Sequence, residues 1–378
     1  MEKINIVHII SGGGIGGGEK FLQIFAKYSD KEKIALHFVV PEKGVLYEKL
    51  SFFGYKPKVI DINKSLFSFE TFLRLKRYLI RSKTDIVHTH GARANYYGRI
   101  AAYFAKVPVI ISTIHNSIND YPINALKKKF YIYIDRLTSS FVSEIVSVSN
   151  YIKESLVNDY KIAEEKITTI YPAVDFQSLL PDITTSAMKK KLSIPESSLV
   201  IGQIGRMTNQ KGFEYSILSA KKIISQFNNV YFLFVGDGEL KKRLEEKCIS
   251  LGIKEKCIFT GFVDNVGNVY QIIDILLMPS LSEGFPVTLI EAAFFEKPEI
   301  AAKVSGIPEF IKDGVNGILI PPADSRALEA AIEKLIRNKD MRIRLGKEAK
   351  NRVSELFSPA HMLKKYLNIY EKHIEKDF

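Results

Sequence analysis

Short hydrophobic runs alternate with helical patterns along almost the whole chain, and this alternation constrains the fold more than any other feature. Runs such as Ile4–Ile10 and Ile275–Met278 have the length of buried strands. Strands that alternate with helices favour parallel sheets covered by helices on both faces. The sequence therefore predicts an α/β protein.

The alternation comes in two series, separated by residues 172–198, which carry three prolines and only a short helical pattern. Each series predicts a doubly wound, Rossmann-like domain, and we expect the two domains to face each other across a cleft. The length of 378 residues also suits two domains. The predicted division is an N-terminal domain at 1–172, a linker at 173–198, a C-terminal domain at 199–357, and a helix at 358–378 that packs back toward the N-terminal domain.

The net charge of +12 lies mostly in the first half, because residues 1–180 carry 25 Lys and Arg against 17 Asp and Glu, a balance of +8. No nucleic-acid module signature accompanies this charge, so an acidic membrane surface or a phosphorylated acceptor is the better fit. No apolar run approaches the roughly 18–20 residues that span a bilayer, and the N-terminus lacks a secretory signal. We expect a cytoplasmic protein.

A glycine-rich loop follows the first strand and includes Gly16 and Gly17. It contains a formal G-x-G-x-x-G pattern. A dinucleotide site also needs an acidic residue about 20 positions later, and Glu42 lies slightly beyond that distance. Glu19 occupies a position that excludes a P-loop. A flexible turn is the alternative. However, so many glycines carry a large entropic cost when the loop becomes ordered, and the close approach of a ligand to the backbone would explain why they are present.

In the second domain the loop after the first strand carries Gly205, Arg206 and Lys211. A guanidinium fork and a mobile ammonium can converge on one diphosphate, although two solvated cations would look the same in sequence. The next strands end in glycine-containing turns, where a base and ribose would lie: Gly236, Gly238, Phe262, Val263.

Two carboxylates, Glu283 and Glu291, bracket the turn that follows Ile275–Met278. Gly284 permits a sharp bend, and Pro286 suits the first helical position. Exposed amides at a helix start favour an anion, while the carboxylates can accept hydrogen bonds from sugar or ribose hydroxyls. The alternative is a capped strand–helix junction with solvated glutamates. The turn residues proposed to contact the ligand are Gly284, Phe285, Pro286 and Val287.

These motifs, in this order and spacing, resemble the retaining glycosyltransferases of family four, which have the GT-B fold. In the second domain the matching stretches are 205–206, 211–212, 236–238, 261–262, 282–286, 291, 306–309 and 316–317. In the first domain the likeness is looser and consists of 12–18, 85–88, 90, 113–115 and 147–149.

The resemblance implies transfer of a sugar from a nucleoside diphosphate to an acceptor hydroxyl, with retention of the anomeric configuration. The N-terminal domain would bind the acceptor and the C-terminal domain the nucleotide sugar. Arg206 and Lys211 would grip the diphosphate, Glu283 the sugar hydroxyls and Glu291 the ribose, and His115 would lie near the reacting carbon. Many relatives extend lipopolysaccharide, capsule or lipid-linked oligosaccharides.

A double displacement would need a carboxylate nucleophile, and the first-domain loops offer only Glu19 and Asp120. The resemblance instead implies front-face substitution. No D-x-D motif occurs, so we expect neither an obligatory metal nor another cofactor. Two alternatives remain open: a nicotinamide-dependent oxidoreductase that uses the N-terminal glycines, and a non-transferring sugar-nucleotide binder or epimerase on the same fold.

The segment 126–137 sets three lysines against apolar residues at helical spacing. Leu126, Phe130, Tyr133 and Leu137, with Ile134, fall on one side. This pattern favours a core-facing stripe with a solvated back, and the alternative is a helix lying on an anionic membrane.

Overall fold

A computed structural model of the chain describes residues 3–14, 16–65, 67–121, 123–353 and 355–374. The chain divides into two compact units. The first contains the residues up to Ala173 together with those from Leu356 onward, and the second contains Val174–Glu355. Residues 375–378 of the predicted C-terminal helix lie outside the described residues.

The first unit is built on a seven-stranded sheet whose neighbours all pair in parallel. The strand order is β3-β2-β1-β4-β5-β6-β7. The strands are β1 Ile4–Ile10, β2 Ile34–Val40, β3 Lys58–Val59, β4 Ile86–His90, β5 Val109–Ile114, β6 Glu144–Ser147 and β7 Ile167–Thr169.

The helices of the first unit include the last helix of the chain, α15. The helices are α1 Gly17–Tyr28, α2 Val45–Phe52, α3 Phe69–Arg81, α4 Ala92–Phe104, α5 Ala125–Thr138, α6 Asn150–Asn158 and α15 Pro359–Ile374. Met362, Tyr366 and Tyr370 of α15 are buried in the same core as Phe21 and Phe25 of α1. The final helix therefore completes the hydrophobic core of a sheet formed by the first half of the sequence.

The second unit has a six-stranded parallel sheet with the order β10-β9-β8-β11-β12-β13. Its strands are β8 Leu199–Ile204, β9 Val230–Val235, β10 Cys257–Gly261, β11 Ile275–Met278, β12 Glu299–Ala302 and β13 Ile318–Ile320. Its helices are α7 Thr185–Lys191, α8 Phe213–Gln226, α9 Lys241–Ser250, α10 Gly267–Tyr270, α11 Val287–Phe294, α12 Ile307–Phe310, α13 Ser325–Arg337 and α14 Lys339–Arg352. Two Rossmann-like α/β sheets are therefore present, as the sequence predicts.

Residues 174–198, which the sequence treats as a linker, lie within the second unit. They carry α7, and the Asn268 side chain bonds both the amide and the carboxylate of Asp182, at 3.1 and 2.6 Å. These contacts attach the segment to α10. No helix within the described ranges has the length and apolar content needed to cross a membrane.

Candidate functional site

In the second sheet the strand order reverses between β8 and β11, and such switch points are where doubly wound sheets bind ligands. The loops after these two strands are packed against each other. A Cβ on Gly212, whose φ is +67°, would lie 2.0 Å from the carbonyl oxygen of Pro279, and the Leu281 amide donates to the Gln210 carbonyl at 2.7 Å. The cation loop and the carboxylate loop therefore form one surface.

The two loops place Lys211 beside Glu283. The Lys211 ammonium lies 2.6 Å from Glu283 Oε1, which also accepts a hydrogen bond from the Ser280 hydroxyl at 2.8 Å. The lysine side chain is 28% exposed and the glutamate side chain 9%. Glu283 Oε2 accepts no hydrogen bond from the described residues. The pair thus keeps free donor and acceptor capacity at the switch point.

The cation loop is held rigidly. The Lys211 carbonyl accepts from the Gln203 side-chain amide at 2.7 Å, and that amide's oxygen accepts from the Ser216 hydroxyl at 2.6 Å. The Lys211 stem passes Gly205, where a Cβ would meet it at ordinary contact distance. Arg206 is exposed, and its side chain has no partner within the described ranges.

Glycines at the strand ends allow neighbouring turns to approach very closely. Gly205, Gly236 and Gly238 have φ of +158°, +127° and +157°. A Cβ on Gly236 would lie 2.0 Å from the Gly205 carbonyl oxygen, and one on Gly238 would lie 2.6 Å from that of Met207. The Gly236 amide donates to the Gly261 carbonyl at 2.9 Å. The tips of β8, β9 and β10 are thus joined.

After Gly261 the chain presents Phe262, which is 55% exposed, and the half-buried Val263. An exposed aromatic ring at the edge of the joined strand tips is available to contact a planar base. Both residues follow directly after the joined tips of β8, β9 and β10.

The turn before α11 is buried at Gly284, Phe285 and Pro286. Helix α11 begins at Val287, one residue later than predicted, because Pro286 has ψ of 73° and serves as the N-cap. Its carbonyl accepts from the amides of Leu289 and Ile290. The proline therefore ends the loop and does not occupy the first helical position.

Glu291 lies in the second turn of α11 and is 3% exposed. Its Oε2 accepts a hydrogen bond from the Tyr270 hydroxyl at 2.8 Å. Burial, followed by the Glu291 charge, raises the pKa of Tyr270 well above its usual value, so the phenol stays a donor. The carboxylate is positioned by a buried partner from α10.

In the first unit, three histidines form a hydrogen-bonded chain that ends at His115. His8 Nδ1 lies 3.0 Å from His90 Nε2, and His90 Nδ1 lies 3.3 Å from His115 Nε2. His8 Nε2 is buried without a partner among the described residues. Unpaired buried N–H groups are rarer than unpaired acceptors, so the favoured arrangement has His8 donating from Nδ1 to His90 and His90 donating to His115. In that arrangement His115 carries its proton on Nδ1.

Nitrogen atoms of His8, His88 and His90 lie within 4.8 Å of one another, a spacing that a metal ion could bridge. The hydrogen bonds and ring geometry do not fit that chemistry. Both nitrogens of His88 already meet hydroxyls, those of Tyr370 at 2.6 Å and Thr113 at 2.7 Å. The His8 and His90 rings are nearly coplanar, with 17° between their planes, and their facing nitrogens already share a hydrogen bond at 3.0 Å.

This histidine cluster predicts that the protein loses stability in mild acid. Burial lowers the pKa of His8 to about 3 and of His115 to about 4, and burial with neighbouring histidines lowers those of His88 and His90 well below 6.5. Below pH 6.5 these histidines bind protons in the unfolded chain but stay neutral in the folded unit. The free energy of unfolding therefore falls from pH 6.5 toward pH 4. Each histidine contributes roughly 1 kcal/mol per pH unit while only its unfolded form is charged.

The measurement is the thermal unfolding midpoint between pH 7.5 and pH 4.5. His8→Phe removes one buried imidazole among aromatic neighbours, and we expect a shallower loss of the midpoint with falling pH. A variant with the same pH slope as the wild type would contradict the assignment.

The N-terminal glycine loop lies beside His115. Gly16 is the N-cap of α1 and Gly17 its first residue. A Cβ on Gly18 would meet the His115 ring at 3.5 Å. Glu19 occupies the space next to Gly12 and Gly16, so this carboxylate folds over its own loop. The structure therefore places the glycine loop, at Gly18, against His115 within the first unit.

A small cavity of about 60 Å³ adjoins His115. Its lining includes Gly91, Asn95, Asn116, Tyr121, Asp135 and Tyr160. No sequence pattern groups these residues.

Sequence reasoning missed the partners that position the predicted groups. Ser280 and Tyr270 were not among the candidates, nor were His8 and His90 as partners of His115. One signal was available: His8 pairs in register with His88 across adjacent strands, and His90 lies two residues farther on the same face. The hydroxyl partners left no such signal.

Two family models match the chain. The model for Glycosyltransferase Family 4 matches residues 15–178, and that for Glycosyl transferases group 1 matches residues 184–352. A curated relative from Escherichia coli, a UDP-Gal:alpha-D-GlcNAc-diphosphoundecaprenol alpha-1,3-galactosyltransferase, is 26% identical over 98% of this chain and 97% of its own length. The capsular polysaccharide biosynthesis glycosyltransferase CapM of Staphylococcus aureus is 24% identical over 84% of this chain and 85% of its own.

Solved structures agree on the fold. The Anabaena HepE protein in complex with UDP and glucose superposes with a TM-score of 0.87 at 19% identity, covering 98% of this chain and 100% of that one. A glycosyltransferase from Rickettsia africae gives a TM-score of 0.83 at 24% identity and covers 99% of both chains. These matches give no support to a nicotinamide-dependent oxidoreductase.

Proposed function

Since the chain belongs to the family-4 glycosyltransferases of the GT-B fold, we propose that it moves a sugar from a nucleoside diphosphate to a glycan or glycolipid hydroxyl with retention of the anomeric configuration. The acceptor is proposed to be a cell-surface glycan precursor such as lipopolysaccharide, capsule or a lipid-linked oligosaccharide. The names of the relatives from Escherichia coli and Staphylococcus aureus support that class.

The observation that carries the proposal is the Lys211–Glu283 pair at the switch point. An ammonium has three donors, and Lys211 uses one of them on Glu283 Oε1 at 2.6 Å. The others are available to diphosphate oxygens, with Arg206 as a second cation. Glu283 Oε2 is available to sugar hydroxyls. One pair thus places a phosphate-binding donor beside a sugar-binding acceptor, as a nucleoside-diphosphate sugar requires.

The chemistry we propose is a front-face substitution. The bond between the anomeric carbon and the diphosphate oxygen breaks while the acceptor oxygen bonds the same face, and the departing phosphate takes the acceptor's proton. Lys211 and Arg206 stabilise the negative charge that develops on the leaving group, and Glu283 holds the sugar in place. Glu291, held by Tyr270, would bind the ribose.

His115 is proposed to assist from the first unit as a hydrogen-bond donor. The histidine chain favours a proton on its Nδ1, which has no partner among the described residues. The cavity beside it, with its amide and carboxylate lining, would receive the acceptor end that carries the reacting hydroxyl. Gly16 and Gly17 would let a ligand approach the backbone closely.

A donor panel tests binding. Thermal unfolding is measured with UDP, GDP, ADP and their sugars, and we expect one base to raise the midpoint. That shift should be lost in Glu291→Ala if the carboxylate holds the ribose. A panel with no shift for any nucleotide would count against the function, and binding without turnover of any acceptor would favour the binder or epimerase alternative.

Transfer is expected to proceed without a divalent cation, because fixed cations can neutralise the leaving diphosphate. The anomeric configuration is expected to be retained, because the acceptor oxygen bonds the same face that the diphosphate leaves. The assay compares rates with excess EDTA and with magnesium, and proton NMR of the product gives the anomeric coupling. A rate that EDTA reduces more than tenfold would contradict metal independence, and an inverted anomer would contradict front-face substitution.

We further propose that the protein acts in the cytoplasm at the inner face of the cell membrane. A lipid-linked acceptor presents its glycan at that surface, and the first half of the sequence carries most of the positive charge.

A further inference from the structure

The outer face of α5 carries four large apolar side chains that are exposed. We call this set the α5 stripe: Leu126, Phe130, Tyr133 and Leu137, with exposures of 79%, 44%, 59% and 53%. At about 100° per residue, these positions fall within a sector of roughly 60°. The sequence left open whether this stripe faces the core, and the structure answers that it faces outward.

The opposite face of α5 fixes that orientation. Asp135, diametrically opposite the stripe on the helix, is buried and accepts from Arg99 Nη1 at 2.7 Å. Arg99 is fully buried and also contacts Thr138, at 3.1 Å. Turning the helix to bury the stripe would break this ion pair inside the protein, which is strongly unfavourable. The exposed stripe is therefore a stable feature of the first unit.

Basic side chains border the stripe on both sides. Helical geometry puts Lys127 on one edge and Lys129 with Arg136 on the other. Within the described ranges these three cations form no ion pair. The single acidic residue of α5 is Asp135, which Arg99 already neutralises. The face is thus apolar in the middle and positive along both edges.

We propose that the α5 stripe docks on an anionic lipid bilayer. The apolar side chains would enter the boundary between headgroups and acyl chains, and the three cations would reach lipid phosphates. Each cation near such a surface contributes about 1 kcal/mol, so attachment is reversible. A second copy of the chain is a poorer occupant, because two stripes face to face would bring their cationic edges together.

This inference deepens the membrane location proposed above, and its test does not depend on the transfer reaction. The purified protein is sedimented with phosphatidylcholine vesicles and with vesicles containing 30% phosphatidylglycerol, in the absence of donor and acceptor. We expect binding to the anionic vesicles at least tenfold stronger, and weaker binding as salt is raised.

Two variants and one control locate the contact. Leu126→Ser with Phe130→Ser removes half the stripe, and Lys127→Gln with Lys129→Gln and Arg136→Gln removes the charged edges; each should lower vesicle binding at least tenfold. Ile249→Ser, which removes a comparably exposed apolar side chain (63%) from the second unit, should leave binding unchanged. All these positions are exposed, so folding should survive, which circular dichroism checks.

Three results would overturn the proposal: no binding to anionic vesicles, equal binding to both vesicle types, or binding that the stripe variants retain. A dimer in size-exclusion chromatography that the stripe variants dissociate would assign the face to a second copy instead. Sugar transfer to a short water-soluble acceptor should be unaffected in the stripe variants. A wild-type protein that binds anionic vesicles but transfers no sugar would count against the proposed enzyme function, and the proposed docking surface would be unaffected.

Discussion

Replacing Lys211 with alanine is expected to lower kcat/KM for sugar transfer about 10²–10³-fold, the usual effect of removing one preorganised group from a developing charge. The ammonium lies 2.6 Å from Glu283 at the switch point of the second sheet. Without it the leaving diphosphate loses a cation, and the carboxylate loses the partner that orients it. The measurement is steady-state transfer at several donor concentrations, together with the nucleotide-dependent thermal shift.

Lys247→Ala is the matched control, because the Lys247 side chain is also 28% exposed and its ammonium also pairs with a glutamate, Glu214, at 3.2 Å. It should leave kcat/KM within about twofold of the wild type. Lys211→Ala leaves a carboxylate that is 9% exposed without its cation, so the urea unfolding midpoint of the variant is measured to separate a folding defect from a catalytic one. A folded Lys211→Ala protein with near-normal kcat/KM would remove the central element of the proposed mechanism.

Replacing Gly236 with alanine is expected to cost about 3 kcal/mol of folding free energy and to abolish the nucleotide-induced thermal shift. Its φ of +127° lies outside the regions that L-residues occupy, and the new Cβ would lie 2.0 Å from the Gly205 carbonyl oxygen. Relief of that contact must move the turn that precedes Arg206 and Lys211. Urea unfolding and the nucleotide panel measure the two effects.

Gly252→Ala serves as the control for backbone strain alone. Gly252 has φ of +69°, and a Cβ there would meet nothing within 4 Å. The change should cost about 1 kcal/mol and leave nucleotide binding intact. If Gly236→Ala behaved no worse than Gly252→Ala, the close packing of the strand tips would not be what holds the site.

The fold was accessible from the sequence because buried parallel strands are continuous apolar runs of recognisable length. Both runs named from the sequence, Ile4–Ile10 and Ile275–Met278, are strands with those same ends. Strand β4 runs as far as His90, which places His90 in register with Ile10 of β1. Strand ends depend on pairing partners, which a local pattern does not contain.

The loops that carry Lys211 and Glu283 were also accessible, since residues after consecutive parallel strands must gather at one edge of a sheet. The direct 2.6 Å contact between the two side chains could not be predicted from the sequence. The orientation of α5 was undecidable for a related reason. An apolar stripe with basic edges has the same sequence pattern whether it packs against the core or faces solvent. The Arg99–Asp135 pair decides the orientation, and it joins residues 36 positions apart, which a local pattern does not contain.

The last helix has a consequence for how the chain is made. Tyr366 and Tyr370 bond Thr113 and His88 inside the first unit, at 3.1 and 2.6 Å. Helix α15 leaves the ribosome only after Val174–Glu355 has emerged, so the nascent N-terminal sheet must wait for the helix that completes its core while Val174–Glu355 is already free to fold. Domains usually mature from the N-terminus onward during synthesis, and this chain should reverse that order.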